Sequence, residues 1–560
     1  MHYASVIIFC LLLGAISVHS AEEEEDVIVN LFSGPIRGEK FPKFYAFKGI
    51  QYGESPVGEK RFEPVKVYRK KWTEVKNATE FGPFCVQLSH IGYTEAANVQ
   101  GEEDCLFLNV WTSSLDSEKK LPVFIYIHGG AFMFGSGSSF TPERVVENQE
   151  MVFVTINYRV GAMGFLSTED EVVPGNMGLK DQVVALQWVK ENIHFFGGNP
   201  NSVTLTGLSA GGASTHLHYF SPLSRGLFHR GVSQSGCALN PWVLAENSRN
   251  KAMAVAAHLE CPTGNAKKMI MCLKKKPAEE VVRSAKLFFP WLYNPFSPFG
   301  VVVEKSGSLP FLTEHPEVLL RTGKINHLPW VVSLTDAEGL YPVADFVNPP
   351  SRLDELNSRW EELAPAVMDY AGTVALKDQP SVAKFIRKVY FETENISEEN
   401  LEKVVKMVGD RLFDAGISLS ARLHAEFAKA PVYLIHFTYP SLFGLQRVFA
   451  PSYKFKGAGH AEENMIIYKT PLRKLPLGTH EKIMVQLYSE FFISVTKGKP
   501  QFGEMPLIPV TTNKRMPYLL IKSHKDFTIE ITDGFGNEDF WKTLPIHETP
   551  KGNDFTKTEL

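Results

Sequence analysis

Cysteine is scarce in this chain, with six in 560 residues. A scaffold held mainly by disulfides is excluded, so a buried core must stabilise the fold. Positive charge is not in excess: 58 Lys and Arg stand against 62 Asp and Glu, a formal net charge of -4. That balance implies no basic face, and nucleic acid is not an expected partner. Beyond the N-terminus no apolar run approaches the length of a bilayer span. H-E-x-x-H, paired C-x-x-C and a phosphate-cradling glycine loop are all missing, so neither a metal nor a cofactor is expected. There is no repeat of fixed period, and the one low-complexity tract is Glu22-Glu23-Glu24-Glu25-Asp26.

What is present is apolar mass, 44% of the residues against 21% charged, enough for a large core. Length alone suggests three or four domains, but no linker is evident, and the mature chain reads as one. Residues 1–20 read as a secretory signal: Val6 to Ile16 is an apolar core too short to span a bilayer, and Val18-His19-Ser20 offers small residues before Ala21. Its first residues depart from the usual pattern, with His2 in place of Lys or Arg. Domain 21–556 follows, and then the tail Lys557-Thr558-Glu559-Leu560, one residue away from K-D-E-L. The tail implies a KDEL-type receptor and retention in the endoplasmic reticulum lumen, with secretion as the alternative. Cys10 leaves with the signal. The shortest closures among the rest are Cys85–Cys105 and Cys261–Cys272, leaving Cys237 as a buried, inert thiol. Sequons at Asn77 and Asn395 predict glycosylation in the same compartment.

Short apolar runs predict buried strands at Leu106 to Trp111, Val123 to Ile127, Val152 to Asn157, Ser202 to Leu208, Trp330 to Leu334, Val432 to Phe437 and Tyr518 to Ile521. Helical patterns such as Lys180 to Phe195 and Leu401 to Glu426 lie between them. The alternation predicts an α/β fold, a large and mostly parallel sheet with helices on both faces. The helix-rich stretch from Pro298 to Asp414 is expected to form part of a cap. Sites in such sheets form beyond the carboxyl ends of the strands.

Gly207-Leu208-Ser209-Ala210-Gly211-Gly212 sits at one such end, between a β-branched run and a helical pattern. This is the context of a nucleophile elbow, where small neighbours let a strained turn lift a serine hydroxyl above the sheet. His128-Gly129-Gly130-Ala131-Phe132 follows another strand and matches a loop whose amides bind an oxyanion. A serine nucleophile needs a base and an acid, in the order Ser, Asp or Glu, His. Position alone leaves the acid open between Asp336 and Glu338. His460, in the loop Gly457-Ala458-Gly459-His460, is one of 17 histidines.

Over essentially the whole mature chain, the sequence resembles the type-B carboxylesterase (carboxylesterase/cholinesterase) family, in its insect-type branch. The resemblance rests on Glu103-Asp104-Cys105-Leu106-Phe107-Leu108-Asn109-Val110, on Asn157-Tyr158-Arg159, on Gly175 to Gln182, on Phe196 to Pro200 and on the elbow. It implies an α/β-hydrolase fold with a helical cap, and a serine esterase that hydrolyses neutral, apolar carboxylic esters through an acyl-serine. The acid it implies is Glu338, directly before a glycine, and the base is His460. The oxyanion donors would be the amides of Gly130, Ala131 and Ala210. Ala131 stands where many members have a third glycine, and its methyl is expected to require negative φ. Ser235 resembles a serine close behind the triad. The same two disulfides are implied, with structural ion pairs Arg61–Glu103 and Arg159–Asp181.

Cholinesterases resemble one another in a tryptophan, within the first disulfide loop, that receives a quaternary ammonium. Val86 to Asp104 has none, and Leu208 replaces the glutamate frequent before the nucleophile. Both differences point to neutral esters. The resemblance places Phe288, Phe289, Trp291, Phe296 and Phe299 on the acyl-pocket wall, with Trp242 similarly placed; plain core packing is the competing reading of each. The alternatives are a juvenile hormone esterase, whose members typically carry Gln where Leu208 stands, a slow organophosphate scavenger, and a cholinesterase-like adhesion protein.

Overall fold

β-Branched and aliphatic runs that are buried on both faces read as unbroken apolar stretches, and these build the centre of the sheet. A computed structural model describes residues 27–89, 99–511 and 515–548. The predicted signal segment and the Lys557-Thr558-Glu559-Leu560 tail lie outside the described residues. Seven strands run parallel: β1 (Leu121–Ile127), β2 (Val152–Ile156), β3 (Gly198–Leu208), β4 (Arg230–Gln234), β5 (Trp330–Thr335), β6 (Val432–Phe437) and β7 (Met516–Ile521). Their spatial order is β2-β1-β3-β4-β5-β6-β7. Every residue of β2 and β5 is buried. Each aliphatic side chain buried in this way contributes about 1.5–3 kcal/mol relative to exposure.

The flanks are antiparallel. Phe107–Thr112 pairs with β2, Tyr45–Gln51 pairs with Phe107–Thr112, and Phe527–Thr532 closes the other edge on β7. A hairpin of Val27–Asn30 and Pro35–Lys40 extends the first flank. Except for Phe107–Thr112, these flank strands were not expected. Half-solvated edge strands carry Pro, Gly and charge, as in Pro-Ile-Arg-Gly-Glu-Lys, and so lack an apolar run.

The predicted helix at Lys180 to Phe195 is present as Met177–Asn192 with a final tight turn, Ile193–Phe196. The helix expected over Leu401 to Glu426 is interrupted. Leu401–Gly409 and Ala415–Phe427 are joined by a wide turn, Asp410–Asp414. The cause is tertiary. The Leu412 carbonyl accepts from Trp242 Nε1 at 2.7 Å and from Asn240 Nδ2 at 3.0 Å, and the Phe413 carbonyl accepts from Asn240 Nδ2 at 2.8 Å. These side chains supply the donors that a widened turn leaves missing.

Disulfides join Cys85 to Cys105 and Cys261 to Cys272. Cys237 is free and buried, and burial pushes its thiol up to about 12, which keeps it protonated and unreactive. Arg61 grips Glu103 through two bonds of 2.7 and 2.6 Å, and Arg159 holds Asp181 through two of 2.7 Å. Such forked pairs tie loops to the sheet. Among the described residues no helix is long and apolar enough to cross a membrane.

Candidate active site

β3 ends at Leu208 and a helix begins at Ala210 (Ala210–Phe220), which leaves one residue, Ser209, to make the turn. Ser209 adopts φ 58°, ψ -122°, a conformation unfavourable to a side-chain-bearing residue. Its amide donates to the Gln234 carbonyl at 2.8 Å, and its carbonyl accepts from Ala213 N at 2.8 Å. The helix lies so close to the sheet that a Cβ on Gly211 would sit 1.9 Å from the Ile127 carbonyl oxygen. One on Gly207 would lie 2.4 Å from Gly211. Those glycines are what allow the turn to form.

His460 and Glu338 are brought together from loops after β6 and β5. His460 Nδ1 lies 2.6 Å from Glu338 Oε2, while Glu338 Oε1 accepts from Thr335 N at 2.8 Å. Both side chains are buried. Asp336, the competing carboxylate, instead accepts from Ala458 N at 2.7 Å. The imidazole lies between two rings, Phe413 at 4.6 Å and Tyr341 at 5.3 Å between centroids.

Ser209 and His460 line one cavity of about 410 Å³ with His128, Gly129, Gly130 and Ala131. The amides of Gly130 and Ala131 have no acceptor among the described residues, as an anion-binding loop requires. Ala131 adopts φ 54°, not the negative value expected of it. The surrounding bonds force that conformation. Met133 N donates to the Gly130 carbonyl at 2.8 Å, and Ser297 Oγ donates to the Ala131 carbonyl at 2.5 Å. A left-handed alanine costs about 1–2 kcal/mol, which these contacts must offset. Gln87, next to the Cys85 bridge, braces the loop further by bonding Gly135 N at 2.7 Å and Gly135 O at 3.0 Å. Ala210 is buried directly after Ser209, at the first turn of the helix.

Trp242, Phe296 and Leu208 line this cavity. Phe299 does not line the cavity; its ring packs edge-on against Phe288 at 5.5 Å. Phe288, Phe289 and Trp291 are off the wall as well, and Trp291 Nε1 bonds Glu355 at 3.0 Å. Trp291 and Phe299 are buried in the core, and Phe288 and Phe289 are half-buried against it. Tyr341, Phe413, Leu445 and Leu472 line the cavity unanticipated. They come from distant segments, and only the tertiary fold gathers them. Ser235 is buried behind the elbow at φ 50°, and its hydroxyl has no partner among the described residues.

The carboxylesterase family profile matches residues 25–540. The chain belongs to the carboxylesterase family. It is 38% identical over 531 residues to venom carboxylesterase-6 of Apis mellifera, covering 93% of this chain and 94% of that one. It is 39% identical to esterase FE4 of Myzus persicae, covering 76% of this chain and 75% of the relative. The crystal structure of juvenile hormone esterase from Manduca sexta, with OTFP covalently attached, superposes with a TM-score of 0.80 at 27% identity, covering 93% and 99% of the two chains. The protein is a carboxylic ester hydrolase on the α/β-hydrolase fold.

One further ionisable group in this carboxylesterase lies close to Glu338. Glu463 is fully buried and accepts from Ser333 Oγ at 3.0 Å and from Gln234 Nε2 at 3.4 Å. Burial first, then the neighbouring Glu338 charge, pushes its carboxyl up to about 7. In the unfolded chain the same group titrates near 4.3. The folded state therefore holds the extra proton between these values, and the stability that this group contributes is lost as pH rises through about 7. Glu463→Gln is expected to match the parent near pH 4.5 and to exceed it at pH 8, by on the order of 2 kcal/mol. Thermal unfolding at the two pH values tests this. Equal melting temperatures at pH 8 would refute it.

Proposed function

We propose that this carboxylesterase hydrolyses neutral, apolar carboxylic esters, with Ser209 as nucleophile, His460 as base and Glu338 as its orienting acid. Ser209 Oγ attacks the ester carbonyl while His460 takes the hydroxyl proton. Glu338, at 2.6 Å from Nδ1, holds the imidazole in the tautomer that leaves Nε2 free and stabilises the imidazolium that forms. The amides of Gly130, Ala131 and Ala210 receive the oxyanion, each contributing about 2.7–4 kcal/mol. His460 then protonates the leaving alcohol, and a water deprotonated by the same imidazole releases the acid from the acyl-serine.

The observation that carries the substrate class is the cavity wall. Among the described residues that line it there is no Asp, Glu, Lys or Arg, and Leu208, Trp242, Phe296, Phe413, Leu445 and Leu472 supply apolar surface. A fixed cation on the substrate would be desolvated there without a counter-charge. A panel of p-nitrophenyl and 2-naphthyl esters of varied acyl length, set against a choline ester of matched acyl group, tests the reading. Neutral esters should be preferred in kcat/KM by at least tenfold; a preference for the choline ester would overturn it.

Leu208, where juvenile hormone esterases typically carry Gln, favours a generalist, detoxifying esterase over a dedicated hormone esterase. Residues 1–20 would direct the chain into the secretory pathway, and Lys557-Thr558-Glu559-Leu560 would retain it in the endoplasmic reticulum through a KDEL-type receptor. Residues 21–556 would then form one hydrolase domain. Asn77 and Asn395 are both exposed, as glycosylation requires. Deleting the tail should raise secretion into the medium.

A further inference from the structure

We infer that Asp336 is a positioning residue whose carboxylate clamps the loop carrying the acid to the loop carrying the base. The inference rests on the assignment of Glu338 and His460 proposed above. Those two side chains arrive on separate loops, and a single contact of 2.6 Å joins them. A glutamate has three side-chain torsions, so that contact alone cannot set the distance between the loops.

The spacing is set one layer back. Ala337 N donates to the Ala458 carbonyl at 3.1 Å, and Ala458 N donates to Asp336 Oδ1 at 2.7 Å. Both main-chain polar groups of Ala458, two residues before His460, are thus held by the two residues preceding Glu338. A parallel bridge between Ala337 and Gly459 continues the seam. Asp336 is itself anchored, its amide donating to the Phe437 carbonyl at the end of β6 at 3.2 Å. Of these links, only Ala458 N to Asp336 Oδ1 depends on a side chain.

Gly457 shows how closely the clamp is packed. A Cβ at that position would lie 2.9 Å from the Ala337 methyl carbon and 3.3 and 3.4 Å from the two carboxylate oxygens of Asp336, and the residue has φ 88°. The glycine of the G-x-x-H loop therefore leaves room for Asp336. Water reaches one side of the clamp, because Asp336 is exposed and with Glu338 and Gly457 lines a second, polar cavity of about 920 Å³, whereas Ala458 is buried. A carboxylate acceptor binds an amide roughly twice as strongly as a neutral one, which favours the clamp over hydration.

Four variants of the full-length protein test the inference: Asp336→Ala, Asp336→Asn, Asp336→Glu and Glu338→Ala. Each is assayed for kcat and KM on a neutral p-nitrophenyl ester, below its own melting temperature. Asp336→Ala removes the acceptor and should lower kcat about 10- to 100-fold with KM within twofold, the expected effect of a small misplacement of the reacting groups. Asp336→Asn keeps an acceptor oxygen in place and should stay within about threefold of the parent. Asp336→Glu keeps the charge but moves the oxygen by a methylene, and should resemble Asp336→Ala. If Asp336→Ala does not fold, the Asn and Glu pair carries the comparison. Parent-like kcat in Asp336→Ala, a loss confined to KM, or equal loss in Asp336→Asn and Asp336→Glu would overturn the clamp. Glu338→Ala separates the two claims. Full turnover in that variant overturns the acid assignment, whereas its loss alongside an unaffected Asp336→Ala overturns the clamp alone.

Discussion

Ser209→Ala is expected to lower kcat/KM for a neutral p-nitrophenyl ester by about 10⁵-fold or more. In the proposed mechanism the Ser209 oxygen forms the acyl intermediate, and the residues beside it in the chain cannot replace it: Ala210, Gly211 and Gly212 follow it, and Leu208 precedes it. The turn should survive, since alanine meets the same backbone demand at φ 58° and the flanking glycines are unchanged. Melting temperature should therefore stay within a few degrees of the parent. Some catalysis over water should persist, because the oxyanion donors and the cavity remain. Burst kinetics with the ester, and intact mass after treatment with a fluorophosphonate, measure the loss directly. The parent should gain one adduct on the peptide containing Ser209, and the variant none. Equal turnover in the two proteins would refute the nucleophile assignment.

Gly211→Ala is expected to destabilise the fold by about 3 kcal/mol or more, among the largest effects available to a single methyl group. The new carbon would stand 1.9 Å from the Ile127 carbonyl oxygen and 2.9 Å from that of His128. Both obstacles are main chain. Ile127 lies at the end of β1, in register with Gly207 of β3, so neither strand can retreat without breaking the ladder. The helix must then lift from the sheet, which would carry Ser209 out of the turn and separate Ala210 from Gly130. Turnover should fall with stability, even in protein that remains folded at low temperature. Thermal denaturation and the p-nitrophenyl assay at 10 °C check both parts. A melting temperature equal to that of the parent would show that the strand and helix are less closely apposed than described.

The legible parts of the fold were those in which local chemistry and burial coincide. The parallel strands are buried on both faces, so their sequences are apolar throughout, as in Val152–Ile156. The edge strands are solvated on one side, so Pro35–Lys40 carries Arg, Glu and Lys and reads as a loop. The long helix expected at Leu401 to Glu426 has the right periodicity. It is nevertheless opened at Asp410–Asp414 by hydrogen bonds from Trp242 and Asn240, residues some 170 positions away in the chain.

The candidate site divides along the same line. Ser209 and the Gly129-Gly130-Ala131 loop announce themselves because an elbow and an anion-binding turn are local motifs, built from small residues at fixed offsets. Asp336 and Glu338 are equivalent by position; the family resemblance points to Glu338, and in the structure Glu338 meets His460 while Asp336 accepts from Ala458 N. The backbone of Ala131 could not be read in advance, because its positive φ is imposed by Ser297 and by the turn at Gly130. Phe296 faces the cavity and Phe299, three residues on, does not.

By itself the sequence determined the class of fold, the two disulfide pairs, the nucleophile elbow and the absence of a cation-binding tryptophan between Val86 and Asp104. Each depends on residues close together in the chain, or on composition. The tertiary structure alone decided which aromatic rings wall the cavity, the positive φ of Ala131 and the bond from Ala458 N to Asp336. Those outcomes depend on contacts between segments a hundred or more residues apart. Local preference does not encode such contacts, because strand order and loop packing bring the groups together only once the whole sheet has formed.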